Sequence, residues 1–152
     1  MPFANVNNVT LFYESKGAGP SIVFIHGEYG GASSSVLPRQ EAWVNDLKED
    51  YNVITYDRRS AGRSSYPESP HSISIFVDDL KGLVEELKIS KMFLNRSSAG
   101  GPVALEYCLQ YLESLIGLIF ANTSARIWKH SGRATHLTEL KRRYDPLRLL
   151  GP

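Results

Sequence analysis

The sequence predicts an α/β fold, a mostly parallel sheet with helices on both faces, and two observations carry that prediction. Short runs rich in β-branched residues alternate with stretches whose apolar residues recur at helical spacing, the pattern of strand–helix–strand crossover units. Two of the runs, Ser21–Ile25 (SIVFI) and Leu115–Ala121 (LIGLIFA), are almost wholly apolar, as strands covered on both faces are. Taken in order, residues 9–14 (VTLFYE) read as a first strand, and Gly17, Gly19 and Pro20 turn the chain into the second, SIVFI. Trp43, Val44 and Leu47 place a helix over 39–50. Residues 52–56 (NVITY) form a third strand, closed by the polar loop 57–65. From Ile73 onward, Phe76, Leu80, Leu83, Val84 and Leu87 share one helical face, with acids assigned to the other. A strand begins at Met92 and runs into the stretch 96–101 (RSSAGG). Ala99, Val103, Ala104, Tyr107, Cys108 and Tyr111 then trace one face of the next helix, and LIGLIFA follows as a further buried strand.

Composition bounds the classes of function. With 152 residues, 42% hydrophobic and 22% charged, the chain can bury a packed core and is unlike a disordered segment. A formal net charge of +1 exerts no general pull toward nucleic acid or anionic membrane. The charge is uneven, however: residues 126–152 hold seven Lys or Arg against only Glu139 and Asp145. Aromatic interleaving there is sparse, so this segment, with its Lys141, Arg142 and Arg143 cluster, reads as the solvated face of a helix and not as a nucleic-acid site. Cys108 is the single cysteine, which rules out an intrachain disulfide and favours a reducing compartment. With neither a leader-like start nor an apolar run of bilayer length, a cytoplasmic protein with no membrane partner is expected.

The chemistry is concentrated in residues 93–105 (FLNRSSAGGPVAL). A serine becomes nucleophilic only when it projects from the backbone and a base takes its proton. A sharp turn from strand into helix supplies the projection. It demands small residues around the nucleophile and sets it at a helix amino terminus. Ser98, followed by Ala99, Gly100 and Gly101 and then a helix, has this layout. Alone, a serine before two glycines is more often a turn and helix cap. Three further segments stand with it in order: 26–31 (HGEYGG) directly after a buried strand, 57–64 (DRRSAGRS), and 118–124 (LIFANTS).

These four segments resemble the α/β-hydrolase family in its serine-nucleophile branch: the GxSxG elbow, the HGxxG oxyanion loop, the DRRGxGRS loop and the strand after the elbow helix. The resemblance covers roughly residues 9–125 and implies a serine hydrolase acting on a small carboxylic ester, lactone or similar acyl substrate. It further implies Ser98 as nucleophile, the backbone N–H groups of Glu28 and Ala99 as oxyanion donors, and His26, Gly27, Gly100 and Gly101 as residues that shape the site. His26 is expected to orient its loop and not to act as a base. No cofactor or metal is implied. His71, His130 and His136 are expected at the surface, and Cys108 as a buried small hydrophobe.

By the same resemblance the chain is a truncated sheet, an amino-terminal core over 1–125 followed by the start of a helical lid over 126–152. The family's acid and histidine lie on later strands, and the position just after the last predicted strand is Asn122, which cannot ionise. Three residues depart from the family pattern. Arg96 stands at the first small position of the elbow, where a long cation should crowd the neighbouring strand. Ser60 replaces a glycine, and Glu28 puts a carboxylate beside the proposed oxyanion hole. Weak or absent activity from this chain alone is therefore expected. The rival reading is a catalytically incompetent relative serving as a binding or interaction module. In either case the last strand is expected to form an open edge, leading to self-association or to a partner that completes the sheet.

Overall fold

A computed structural model describes residues 2–27, 38–69 and 71–121. The sheet has six strands: β1 (Phe3–Val6), β2 (Val9–Lys16), β3 (Ser21–Ile25), β4 (Asn52–Tyr56), β5 (Met92–Ser97) and β6 (Leu115–Ala121). Three helices connect them: α1 (Pro38–Leu47), α2 (Ile73–Glu86) and α3 (Gly101–Gln110). The spatial order is β1-β2-β4-β3-β5-β6. β1 and β2 run antiparallel to their neighbours, while β4, β3, β5 and β6 form the parallel part. The predicted mostly parallel sheet is thus the one observed, with the apolar runs SIVFI and NVITY at its centre, each buried at its last four residues.

One strand lies outside the sequence reading. β1 pairs with β2 through a two-residue turn in which Val6 faces Val9, and Asn7 and Asn8 both adopt positive φ, 44° and 59°. Asparagine tolerates the left-handed region better than most residues, and two consecutive positive φ values match the right-handed twist of a hairpin. The Asn-Asn pair between two valines was the available signal.

The main core lies on one face of the sheet. Val23 and Ile25 of β3, Ile54 and Tyr56 of β4, and Met92 and Leu94 of β5 meet Val77, Leu80, Leu83 and Val84 of α2 and Val103, Ala104 and Tyr107 of α3. α1 covers the other face, where Trp43 packs on Phe24 with ring centroids 5.2 Å apart. The period-two alternation of β3 therefore feeds two cores.

Two sequence expectations need correction. The acids of α2 are not all on its solvent side: Asp78, Glu85 and Glu86 are exposed, but Asp79 is buried and paired with Arg59. A carboxylate tolerates burial when a guanidinium meets it in two-pronged geometry, which a helical wheel does not reveal. The second concerns β6, expected to be buried. Ile116, Ile119 and Phe120 are 48%, 42% and 44% exposed, because among the described residues β6 pairs only with β5. The predicted lid segment 126–152 and Asn122 lie outside the described residues, as do His130 and His136.

Candidate active site

The parallel strands set the position of the site. The chain leaves β3 for β4 on one side and then crosses back to β5 on the other, so the connections at the carboxyl ends of β3 and β5 diverge at β3. Such a reversal opens a crevice at the carboxyl ends of the strands. His26 and Gly27 leave β3 there, residues 57–64 leave β4, and Ser98 leaves β5.

Ser98 occupies a sharp turn. β5 ends at Ser97 in extended conformation (φ −128°, ψ 145°), Ser98 has φ 45°, and a single 3-10 turn over Ser98–Gly100 leads directly into α3. A serine in the left-handed region is strained, and here the strain turns the side chain outward: Ser98 is exposed, although the strand and helix on either side are largely buried. The small neighbours have a steric cause. A Cβ at Gly100 would lie 2.7 Å from the Ile25 carbonyl oxygen and 3.1 Å from that of His26, so the elbow closes onto the end of β3 only with glycine there. A Cβ at Gly27 would meet Ser98 Cβ at 3.0 Å and Ser98 Oγ at 3.6 Å, which puts Gly27 beside the serine. Gly101 is buried as the first residue of α3, and Ala99 is half-buried within the turn. Glu28 lies outside the described residues.

His26 is built into the scaffold. Its Nε2 accepts the backbone N–H of Arg58 at 3.0 Å, which leaves the ring proton on Nδ1 to donate to the Gly27 carbonyl at 2.6 Å. Burial, reinforced by the nearby Arg58 charge and opposed by the Gly27 bond, lowers its pKa to about 4. A neutral imidazole with both nitrogens engaged fits the orienting role expected from the sequence. His71 is exposed and bonds Ser60 Oγ at 2.8 Å. Neither histidine is hydrogen-bonded to Ser98.

The loop after β4 holds residues whose roles the sequence did not disclose. Arg58 reaches back to the Gly27 carbonyl with Nη2 at 3.1 Å and stacks on Phe76, 4.9 Å from the ring centroid. Arg59 grips Asp79 through Nε and Nη2, both at 2.5 Å, and Asn7 donates to the same carboxylate at 2.8 Å. Asp57 accepts the Arg63 N–H at 2.9 Å within the loop, and Ser60 takes the left-handed φ of 57° at the place where the family pattern has glycine. Two adjacent arginines in a polar loop carry no local signal of these partners.

Arg96 is fully buried on the α3 side of β5, and its guanidinium lies flat over Phe120 of the neighbouring strand, 3.4 Å from the ring centroid. None of its three side-chain nitrogens has a hydrogen-bond partner, and burial pushes its pKa below the ordinary arginine value. The crowding expected from a long cation at this position takes that form. Cys108 is buried, as expected of a small hydrophobe, and burial raises its thiol pKa. Among the described residues, no group of three or more His, Cys, Asp or Glu could hold a metal ion, and no helix is long and apolar enough to cross a membrane.

A strand–turn–helix serine, a glycine loop beside it and a mostly parallel six-stranded sheet define an α/β protein with the architecture of a hydrolase core. The chain belongs to the α/β-hydrolase fold family, whose model matches residues 20–148. It is 32% identical over 121 residues to a putative non-heme chloroperoxidase of Synechocystis sp., covering 73% of this chain and 41% of that protein. It is 29% identical to a putative carbamate hydrolase of Caulobacter segnis, covering 81% of this chain and 46% of the relative. Among solved structures, the enol-lactonase of Burkholderia xenovorans superposes with a TM-score of 0.74 at 27% identity, over 98% of this chain and 56% of that one. The chain thus spans about half the length of the proteins it matches.

Proposed function

We propose that this chain carries the nucleophile side of a serine hydrolase site, with Ser98 attacking the carbonyl of a small carboxylic ester, lactone or similar acyl substrate. The observation that carries the reading is the left-handed, exposed Ser98 at the junction of β5 and α3, with Gly27 against it. In the attack, the Ser98 Oγ forms a bond to the acyl carbon, its proton passes to a base, and the carbonyl oxygen gains negative charge. The N–H groups of Glu28 and Ala99 would receive that charge, held in place by His26, Gly27, Gly100 and Gly101. The names of the relatives, a carbamate hydrolase and an enol-lactonase, agree with acyl chemistry.

The base is the missing element among the described residues. His26 has both ring nitrogens engaged in the scaffold, and His71 is bonded to Ser60. Loss of triad members elsewhere costs several orders of magnitude in rate, so efficient turnover in this reading requires a base from outside the described residues. In this reading residues 1–125 are the core, 126–152 begin a lid, and the chain resides in the cytoplasm. Hydrolysis of p-nitrophenyl acetate, with Ser98→Ala as control, tests the nucleophile, and prolonged labelling with a fluorophosphonate probe tests it independently. Activity or labelling that survives the substitution removes Ser98 from the mechanism.

A second reading, an interaction module, is favoured by β6. Its residues carry no charge, and Ile116, Ile119 and Phe120 are exposed along it. Among the described residues β6 pairs only with β5, and an unpaired apolar edge templates pairing with another strand. Self-association, read as a mass that rises with concentration in light scattering, is the expected behaviour. A dilution-independent monomer with a cooperative melt would refute it.

A further inference from the structure

We propose that the edge of β6 is a docking site for an extended polypeptide segment that carries a glutamate beside Phe120, and that Arg96 is the group that selects it. The inference rests on the interaction-module reading above and names the chemistry of the partner. Among the described residues β6 pairs only with β5, so the N–H and C=O groups on its other side can pair with a further strand. Arg96 stands opposite Phe120 in the ladder, and its guanidinium lies over the Phe120 ring, 3.4 Å from the centroid. The side chain has therefore crossed from its own strand onto β6, in the direction of that edge. It is fully buried there, and Nε, Nη1 and Nη2 all lack a hydrogen-bond partner. A guanidinium has N–H donors on every nitrogen and no acceptor, so this buried cation calls for an anion.

The donors define what the partner must bring. A strand added to β6 sets one side chain level with Phe120 and on the same face, two strand spacings or about 10 Å from the Arg96 backbone. An arginine that already reaches over the middle strand and a glutamate on the outer one span that distance. The carboxylate then accepts parallel N–H bonds from the planar fork. Phe120 is 44% exposed, which gives its ring room to turn as the carboxylate enters. A second copy of this chain does not meet the need: β6 has no charged residue, so pairing two β6 strands leaves each Arg96 unpaired. A neutral strand does the same, and one with lysine adds a like charge. The apolar edge thus supplies attachment, and the buried cation supplies discrimination between strands.

The test titrates the full chain and its Arg96→Met variant with fluorescein-labelled peptides of alternating valine and threonine that carry glutamate, glutamine or lysine at the centre. Fluorescence anisotropy reads affinity, and amide NMR shifts locate the peptide. The glutamate peptide should bind about tenfold to a hundredfold more tightly than the glutamine one, the range for hydrogen bonds to a charged group, with lysine weakest and the shifts along β6. In Arg96→Met the glutamate and glutamine peptides should bind equally. A glutamate preference that survives Arg96→Met, or one whose shifts lie away from β6, overturns the proposal. Equal binding of glutamate and glutamine peptides to the parent, with shifts along β6, refutes the role of Arg96 and leaves the edge reading standing. Binding by none of the peptides refutes both. If Arg96→Met does not melt cooperatively, Arg96→Gln carries the comparison, and a glutamate preference retained there is the refuting result.

Discussion

Replacing Arg96 by methionine should stabilise the protein, although it removes a buried charged residue. Each buried, unpaired polar group costs about 1–3 kcal/mol, and charged groups cost more. All three side-chain nitrogens of Arg96 are in that state. The stack on Phe120 returns only about 2 kcal/mol even when fully desolvated. Methionine is unbranched and flexible enough to follow the same path, and its sulfur can keep contact with the ring for about 1 kcal/mol. The net expectation is a gain of about 2–3 kcal/mol. For a chain of this size, that corresponds to a rise in Tm of roughly 6 °C. Urea unfolding of the two proteins, followed by circular dichroism, measures it. Arg96→Gly is the useful companion, because it restores the small residue of the family pattern but leaves the volume beside α3 empty; it should gain less than methionine. A methionine variant less stable than the parent would show that the guanidinium has an acceptor, and the accounting above would be wrong.

Two further outcomes follow from the site. Ser98 has φ 45°, and the left-handed region costs a non-glycine residue about 1–2 kcal/mol. Ser98→Gly should therefore unfold about 1 kcal/mol harder than Ser98→Ala once the greater freedom of glycine in the unfolded chain is allowed for; equal urea midpoints would remove the strain from the elbow. The second concerns pH. His26 titrates near 6.5 when unfolded and at about 4 in the fold, so between these values the unfolded chain binds more protons and stability rises with pH. The contribution is complete above about pH 6.5 and is lost as pH falls to about 4, at most about 3 kcal/mol in total. An NMR titration of the His26 ring with a midpoint near 6.5 would contradict this.

The strands and helices of this chain are determined locally. SIVFI, NVITY and LIGLIFA are strands within the limits their apolar runs predict, because a short β-branched run bounded by turn residues favours extended backbone wherever it lies. The helix starting at Ile73 follows from its apolar period, and the elbow from a serine set among residues small enough for the turn. The Asn7-Asn8 hairpin was equally local, and its signal was simply short.

Partnership across the fold was not determined in this way. LIGLIFA has the composition of a covered strand, yet Ile116, Ile119 and Phe120 are exposed, because coverage depends on what stands beside a strand and not on its own residues. Asp79 reads as one more acid on an amphipathic helix until the turn after β4 delivers Arg59 to it. Arg58 reads as one of two arginines in a polar loop until the parallel pairing of β3 and β4 brings the ends of both strands together and sets it against Gly27. The sequence alone thus determined the elements, the strained serine position and the family. The tertiary structure decided which charges are buried, which residues of β6 are exposed and which side chain reaches the Gly27 carbonyl, since those are set by contacts between residues far apart in the chain.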